Sequence, residues 1–302
     1  MKKKLISVFM VAAFGASLLA GCGSNASNDT AATSTTEGAT SDTTATEDGD
    51  KTTITVFAAA SLNTVLDELI EMYNETNPDI EILTNYDSSG TLMEQIEEGA
   101  SCDVFFSAAQ KQMDQLQDQD NLVVEGTRHN VVNNQLCVVT YPDSGTEVTG
   151  LADLNKASSI ALCDGTVPVG KYTRVALMNS GVLDEVEDAS VYTTQEVSDA
   201  LGGVEINETA NVSATASAVA EGSNEVGMVY YSDTYGIEDQ LEIIEVVSYD
   251  LSGNIIYPVA QIANEEATDA QSEAAVAFIN YLKSDEATKV FQEHYFDTDV
   301  ED

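Results

Sequence analysis

The chain has 302 residues, of which 52 are Asp or Glu and only 11 are Lys or Arg, for a formal charge of −41 at pH 7. A surface of that sign repels phosphate backbones and anionic headgroups, so nucleic acid is excluded as a partner. Hydrophobic residues make up 43% of the chain, and the part that follows a polar N-terminal stretch is long enough for two modest domains or one large one.

At the N-terminus, Lys2, Lys3 and Lys4 precede an apolar run over residues 5–21. The run is too short for a stable membrane span and closes in small residues, as a secretory signal does. Its last residues, Leu19-Ala20-Gly21-Cys22, resemble the bacterial lipobox, whose cysteine thiol is acylated and becomes the new N-terminus. The resemblance implies a signal peptide over residues 1–21, a lipid on Cys22, and a protein held at the extracytoplasmic face of the cell membrane. Residues 23–50 contain no Leu, Ile, Val or aromatic residue. Such a segment has too little to bury, so residues 22–51 are expected to form a disordered, self-repelling tether. No later apolar stretch is long enough to cross a bilayer.

From Thr52 onward, short apolar runs alternate with helical stripes, which predicts an α/β fold with mainly parallel sheets flanked by helices. Residues 54–58 read as a buried strand, and Leu62, Val65, Leu66, Leu69, Ile70 and Tyr73 fall at helical spacing until Asn77-Pro78 stops them. Residues 80–83 form the next strand, a helix carrying Leu92, Met93 and Ile96 follows, and residues 103–106 form a third strand. Residues 130–141 read as one long strand leaving this first unit. A second unit contains a strand at 160–163, a helix through Val175–Met178, helices near 195–201 and 213–221, and a strand at 226–230. A strand at 255–262 and helices over 269–283 and 285–295 close the chain. The expected division is lobe 1 from residues 52–135 plus 253–302 and lobe 2 from 136–252, with the hinge where the two connections cross. Cys102, Cys137 and Cys163 stand singly in apolar surroundings and read as small core residues, not zinc ligands. His129 and His294 are expected on the surface.

Ligands of open α/β sheets bind beyond the carboxyl ends of strands. Four strand-to-helix junctions there carry hydroxyls or small residues: Ala58–Leu62, Ser88–Thr91, Pro168–Gly170 and Asn211–Ser213. Helix N-termini offer unpaired N–H groups and partial positive charge, so each junction could accept an anion without Lys or Arg. Taken alone, a serine there is more often a simple cap.

Over residues 53–297 the chain resembles the molybdate-binding components of ABC importers, bilobed extracytoplasmic solute receptors of the type II class. The resemblance is carried by Thr55–Leu62, Ser88–Leu92, Asp103–Ala108, Val167–Tyr172, Asn211–Ala214, Gly227–Asp233 and Tyr257–Val259. It implies an oxyanion, molybdate or tungstate, held by the hydroxyls of Ser61, Ser89 and Tyr230 and by the backbone N–H groups of Val169 and Val212. It further implies a monomer that needs no cofactor, delivers its solute to an ABC permease, and closes its two lobes on the ligand. A pocket built only of neutral donors suits a tetrahedral dianion, which offers only acceptors. Two departures from the family pattern stand out: a short loop that brings Asp164 near the cleft, and a longer segment at Gly202-Gly203.

Sulfate and phosphate remain alternatives, as does ferric iron through the adjacent pair Tyr230-Tyr231. Neither a Gly-x-Ser-x-Gly elbow nor a His-Glu-x-x-His motif occurs, so an enzyme is not expected. An adhesion or scaffold lipoprotein is the remaining class.

Overall fold

The computed structural model describes residues 51–301; the expected signal peptide, Cys22 and nearly all of the expected tether lie outside the described residues. Strand β1 (Thr52–Ala59) places Ile54, Val56 and Ala58 in the main core while Phe57 joins a smaller cluster on the opposite face of the sheet, as the period of two requires. Helix α1 (Asn63–Thr76) buries Val65, Leu66, Leu69 and Tyr73. It ends where Asn77 Nδ2 donates to the Tyr73 carbonyl at 2.9 Å and Pro78 forbids continuation. There follow β2 (Ile80–Asp87), α2 (Ser89–Glu97), β3 (Val104–Phe106), α3 (Gln110–Asp114) and β4 (His129–Asn134).

The second half holds β5 (Leu136–Thr140), β6 (Ser159–Cys163), α4 (Pro168–Asn179), α5 (Thr194–Ala200), β7 (Glu205–Thr209), α6 (Val212–Ala220), β8 (Val226–Tyr230), β9 (Glu242–Val246) and the short α7 (Tyr249–Ser252). Strand β10 (Ile255–Gln261), α8 (Asp269–Leu282) and α9 (Asp285–Glu293) complete the chain.

Two five-stranded sheets result, in the orders β2-β1-β3-β10-β4 and β7-β6-β8-β5-β9. Each is mixed: β1 pairs in parallel with β2 and β3, and β6 with β7 and β8, whereas β10 and β5 each run antiparallel to both neighbours. The reversed strands lie beside the two crossings. The stretch read as one strand over 130–141 is two, one in each sheet, separated by Gln135. The break is stabilised by side chains: Asn133 Oδ1 accepts the N–H groups of Asn134 at 2.9 Å and Ile255 at 2.7 Å, and Asn134 Oδ1 accepts that of Gln135 at 2.9 Å. These local bonds replace the ladder where the backbone leaves one sheet for the other. The return passes through residues 247–254, between β9 and β10.

Strands β7 and β9 were not legible in the sequence. Both are edge strands with mostly exposed or half-buried residues, so they carry neither the apolar run nor the clean alternation that marks a strand. Cys102, Cys137 and Cys163 are buried free thiols, as their surroundings indicated. His294 corrects the expectation of a surface residue. It is only 2% exposed, its Nε2 lies 2.8 Å from Glu68 Oε2, and its ring lies 3.8 Å from that of Tyr235.

Candidate oxyanion pocket

Strands β1, β2, β6 and β8 end toward a small, partly open pocket between the two sheets. It is lined by Ser61, Ser89, Val169, Val212 and Tyr230, all five residues singled out above, together with Asp87, Ser88, Asn211 and other small or apolar neighbours.

Each lining group is delivered by an element end. Ser61 sits in a single turn of 3-10 helix, Ala60–Leu62, that leads from β1 into α1. Ser89 is the first residue of α2, behind the cap Ser88, whose Oγ accepts the Thr91 N–H at 3.1 Å. Val169 lies in the first turn of α4, where Pro168 suits the first helical position and no side chain caps the free N–H groups. That turn can approach the end of β6 only because residue 170 is glycine. A Cβ there would collide with the Asp164 carbonyl oxygen and stand 2.5 Å from that of Cys163. Val212 opens α6, and its cap Asn211 accepts the Ala214 N–H at 3.0 Å, leaving the Val212 N–H uncapped. Tyr230 ends β8.

The hydrogen-bond directions decide what the pocket can hold. Ser89 Oγ accepts the Ala108 N–H at 2.9 Å, so the serine's own proton remains to be donated. Tyr230 is 1% exposed, and its hydroxyl has no hydrogen-bond partner among the described residues. Burial, reinforced by the neighbouring Tyr257, raises its pKa well above 10, so it stays a donor. Around these hydroxyls stand the first turns of α4 and α6, with their free N–H groups and positive dipole ends.

One carboxylate lies at the edge. Asp87 Oδ1 accepts the Ser88 N–H at 2.7 Å and, across the cleft, Asn211 Nδ2 at 3.1 Å. Asp164 is absent from this lining and borders the adjoining opening. Its Oδ1 accepts Thr166 N–H at 2.9 Å and Thr166 Oγ1–H at 2.7 Å. Partial burial opposes its ionisation, but these bonds, the Gly165 N–H and the Arg174 charge together hold the carboxyl below its ordinary range. The charge is thus engaged within its own loop. Further contacts bridge the halves: Ser213 Oγ donates to the Ala60 carbonyl at 3.4 Å, Lys111 Nζ meets Asp188 Oδ2 at 3.2 Å, and Tyr295 Oη donates to Glu238 Oε1 at 3.0 Å.

The adjacent tyrosines do not share a site. Tyr230 lines the pocket, while Tyr231 stacks on Tyr295 with ring centroids 4.7 Å apart. Neither His129 nor His294 lines the pocket. Sequence reasoning missed Asp87 as a lining residue and Ala108 as the group that orients Ser89. Ala108 lay within a stretch already singled out, but its N–H carries no side-chain signal.

The family described as bacterial extracellular solute-binding protein matches residues 54–297. The Bacillus subtilis protein named "Putative ABC transporter substrate-binding lipoprotein YvgL" is 31% identical over 97% of this chain and 98% of its own. The molybdate-binding protein ModA of Haemophilus influenzae is 30% identical over 78% of this chain and 87% of its own. Among solved structures, the "substrate binding domain of putative molybdenum ABC transporter from Clostridium difficile" shares 31% identity and a TM-score of 0.60, covering 83% of this chain and 100% of that one.

Proposed function

This chain belongs to the bacterial extracellular solute-binding proteins, and on that premise we propose that it captures molybdate or tungstate in the pocket between its sheets and hands it to an ABC permease. The observation that carries the reading is the Tyr230 hydroxyl, buried, protonated and unpartnered, in a pocket whose other polar groups are mainly donors. A buried hydroxyl without a partner costs about 1–3 kcal/mol, and an oxyanion oxygen in the pocket offsets that cost. The names of the relatives support the same solute class.

In this reading Ser61 and Ser89 donate from the first lobe, and Val169 N–H, Val212 N–H and Tyr230 from the second. The lobes are residues 52–135 with 253–302, and residues 136–252. Only the closed arrangement makes every contact, so the anion favours closure, with movement about Gln135 and residues 247–254. Neutral donors and helix dipoles act at close range, while solvent screens the distant surface carboxylates. That reconciles an anionic ligand with a chain of charge −41. A lipid on Cys22, after removal of residues 1–21, would keep the monomeric receptor near its permease, with residues 22–51 as the tether. The relative named a lipoprotein supports this.

Thermal unfolding against molybdate, tungstate, sulfate, phosphate and ferric iron tests the proposal. A ligand at a thousand times its dissociation constant adds about 4 kcal/mol of stability. A large shift with molybdate and tungstate and little with sulfate or phosphate is the expected result. A shift with iron alone would overturn it, as would no shift with any of the five.

A further inference from the structure

Among the described residues Ser61 Oγ has one hydrogen bond, 2.9 Å to Tyr257 Oη, and its direction is set through Asn134, which bonds that same Tyr257 hydroxyl. Asn134 Oδ1 accepts the Gln135 N–H at 2.9 Å. A backbone N–H can only donate, so this bond fixes which way the amide points. Asn134 Nδ2 then spends its protons on Ser232 Oγ at 2.8 Å and on Tyr257 Oη at 3.1 Å. An amide nitrogen accepts nothing, so among the described residues the acceptor left for the Tyr257 proton is Ser61 Oγ. Tyr257 is wholly buried, and burial together with the Asp233 charge raises its pKa well above 10, so that proton stays in place. With a lone pair of its oxygen occupied by Tyr257, Ser61 keeps its own proton for the pocket.

The geometry points to Asn134 and Tyr257 as positioning residues that make Ser61 a one-way donor, so that the pocket takes a ligand atom that only accepts, a deprotonated oxyanion oxygen. The inference rests on the oxyanion reading of the pocket. The relay also spans both halves: Ser61 and Tyr257 belong to the first, Ser232 follows β8 in the second, and Asn134 is the last residue of β4 before the crossing at Gln135. Ser89 gets the same preparation from a backbone N–H, that of Ala108. Ser61 gets it from two side chains, which mutation can remove.

The test is a double-mutant cycle on the full chain, with molybdate affinity read by titration calorimetry. Tyr257→Phe removes one hydroxyl and is expected to weaken binding about tenfold. Ser61→Ala weakens it at least as much, and the double variant binds no more weakly than Ser61→Ala alone, because Tyr257 acts through Ser61. A role limited to packing would instead give additive losses, and additivity would overturn the relay while leaving the oxyanion reading intact. Asn134→Asp keeps the shape and the bond from Gln135 but cannot donate to Tyr257, so the relay reverses. It is expected to lose more affinity beside Ser61 than in the Ser61→Ala variant, and it carries the same test if Tyr257→Phe does not fold. A wild-type chain that binds none of molybdate, tungstate, sulfate and phosphate would overturn the reading of the pocket and this inference with it.

Discussion

Tyr230→Phe is the substitution for which the structure requires opposite effects on stability and on binding. The hydroxyl is buried and has no hydrogen-bond partner among the described residues, so the unliganded protein is expected to carry its desolvation cost, about 1–3 kcal/mol for a group of this kind. Phenylalanine keeps the ring and its edge-to-face contact with Tyr257, at a centroid distance of 6.0 Å, and removes only the oxygen. The empty variant is therefore expected to be more stable than wild type by about 1 kcal/mol, the lower end of that range, because the freed space is small. The same oxygen is proposed to donate to a charged acceptor, a bond of about 1.5–3 kcal/mol, so the dissociation constant for molybdate should rise roughly 10- to 150-fold. Denaturant unfolding without ligand and calorimetric titration with molybdate measure the two effects separately. Unchanged affinity would remove Tyr230 from the site. A less stable empty variant would mean that the hydroxyl has a partner after all, and the argument from its isolation would fail.

Further expectations follow from other contacts. Ser89→Ala removes a donor whose oxygen is held by Ala108 N–H; it should weaken oxyanion binding by about 1.5–3 kcal/mol and leave that N–H short of a partner, so both titration and unfolding should register a loss. Gly170→Ala forces a Cβ against the carbonyl oxygens of Asp164 and Cys163; a loss of about 1–3 kcal/mol in unfolding free energy is expected, and a neutral result would show that the α4 turn yields easily. Asp233 accepts the Tyr230 N–H at 2.9 Å, and burial pushes its pKa up to about 7. Its folded pKa exceeds the unfolded one, so its contribution is fully present below about pH 4 and is lost as pH rises through about 7. Asp233→Asn should flatten that decline by on the order of 1–2 kcal/mol between pH 5 and pH 8, a figure reduced because the residue as a whole is only half-buried; an unchanged pH profile would refute the assignment.

Much of this molecule was legible in its sequence because the relevant signals are local. The apolar run of β1, the 3–4 spacing of Val65, Leu66, Leu69 and Tyr73, and the Pro168 start of α4 each report a backbone state through nearby residues. Buried central strands and helix starts therefore emerged, and with them the four junctions that hold Ser61, Ser89, Val169 and Val212; the choice of those residues, and of Tyr230 at the end of β8, came from the family resemblance. What tertiary structure alone decided concerns partners distant in sequence. Edge strands β7 and β9 exist through pairing with β6 and β5, and their own exposed residues do not announce it. The apparently continuous apolar stretch at 130–141 divides between two sheets because Asn133 and Asn134 supply side-chain bonds at the break. The burial of His294, the separation of Tyr230 from Tyr231, and the proton direction at Ser61 likewise depend on groups far along the chain, such as Glu68, Tyr295 and Tyr257. Periodicity records which face of an element is buried. Which group stands opposite that face, and which way a shared proton points, is settled only when the folded chain brings the two together.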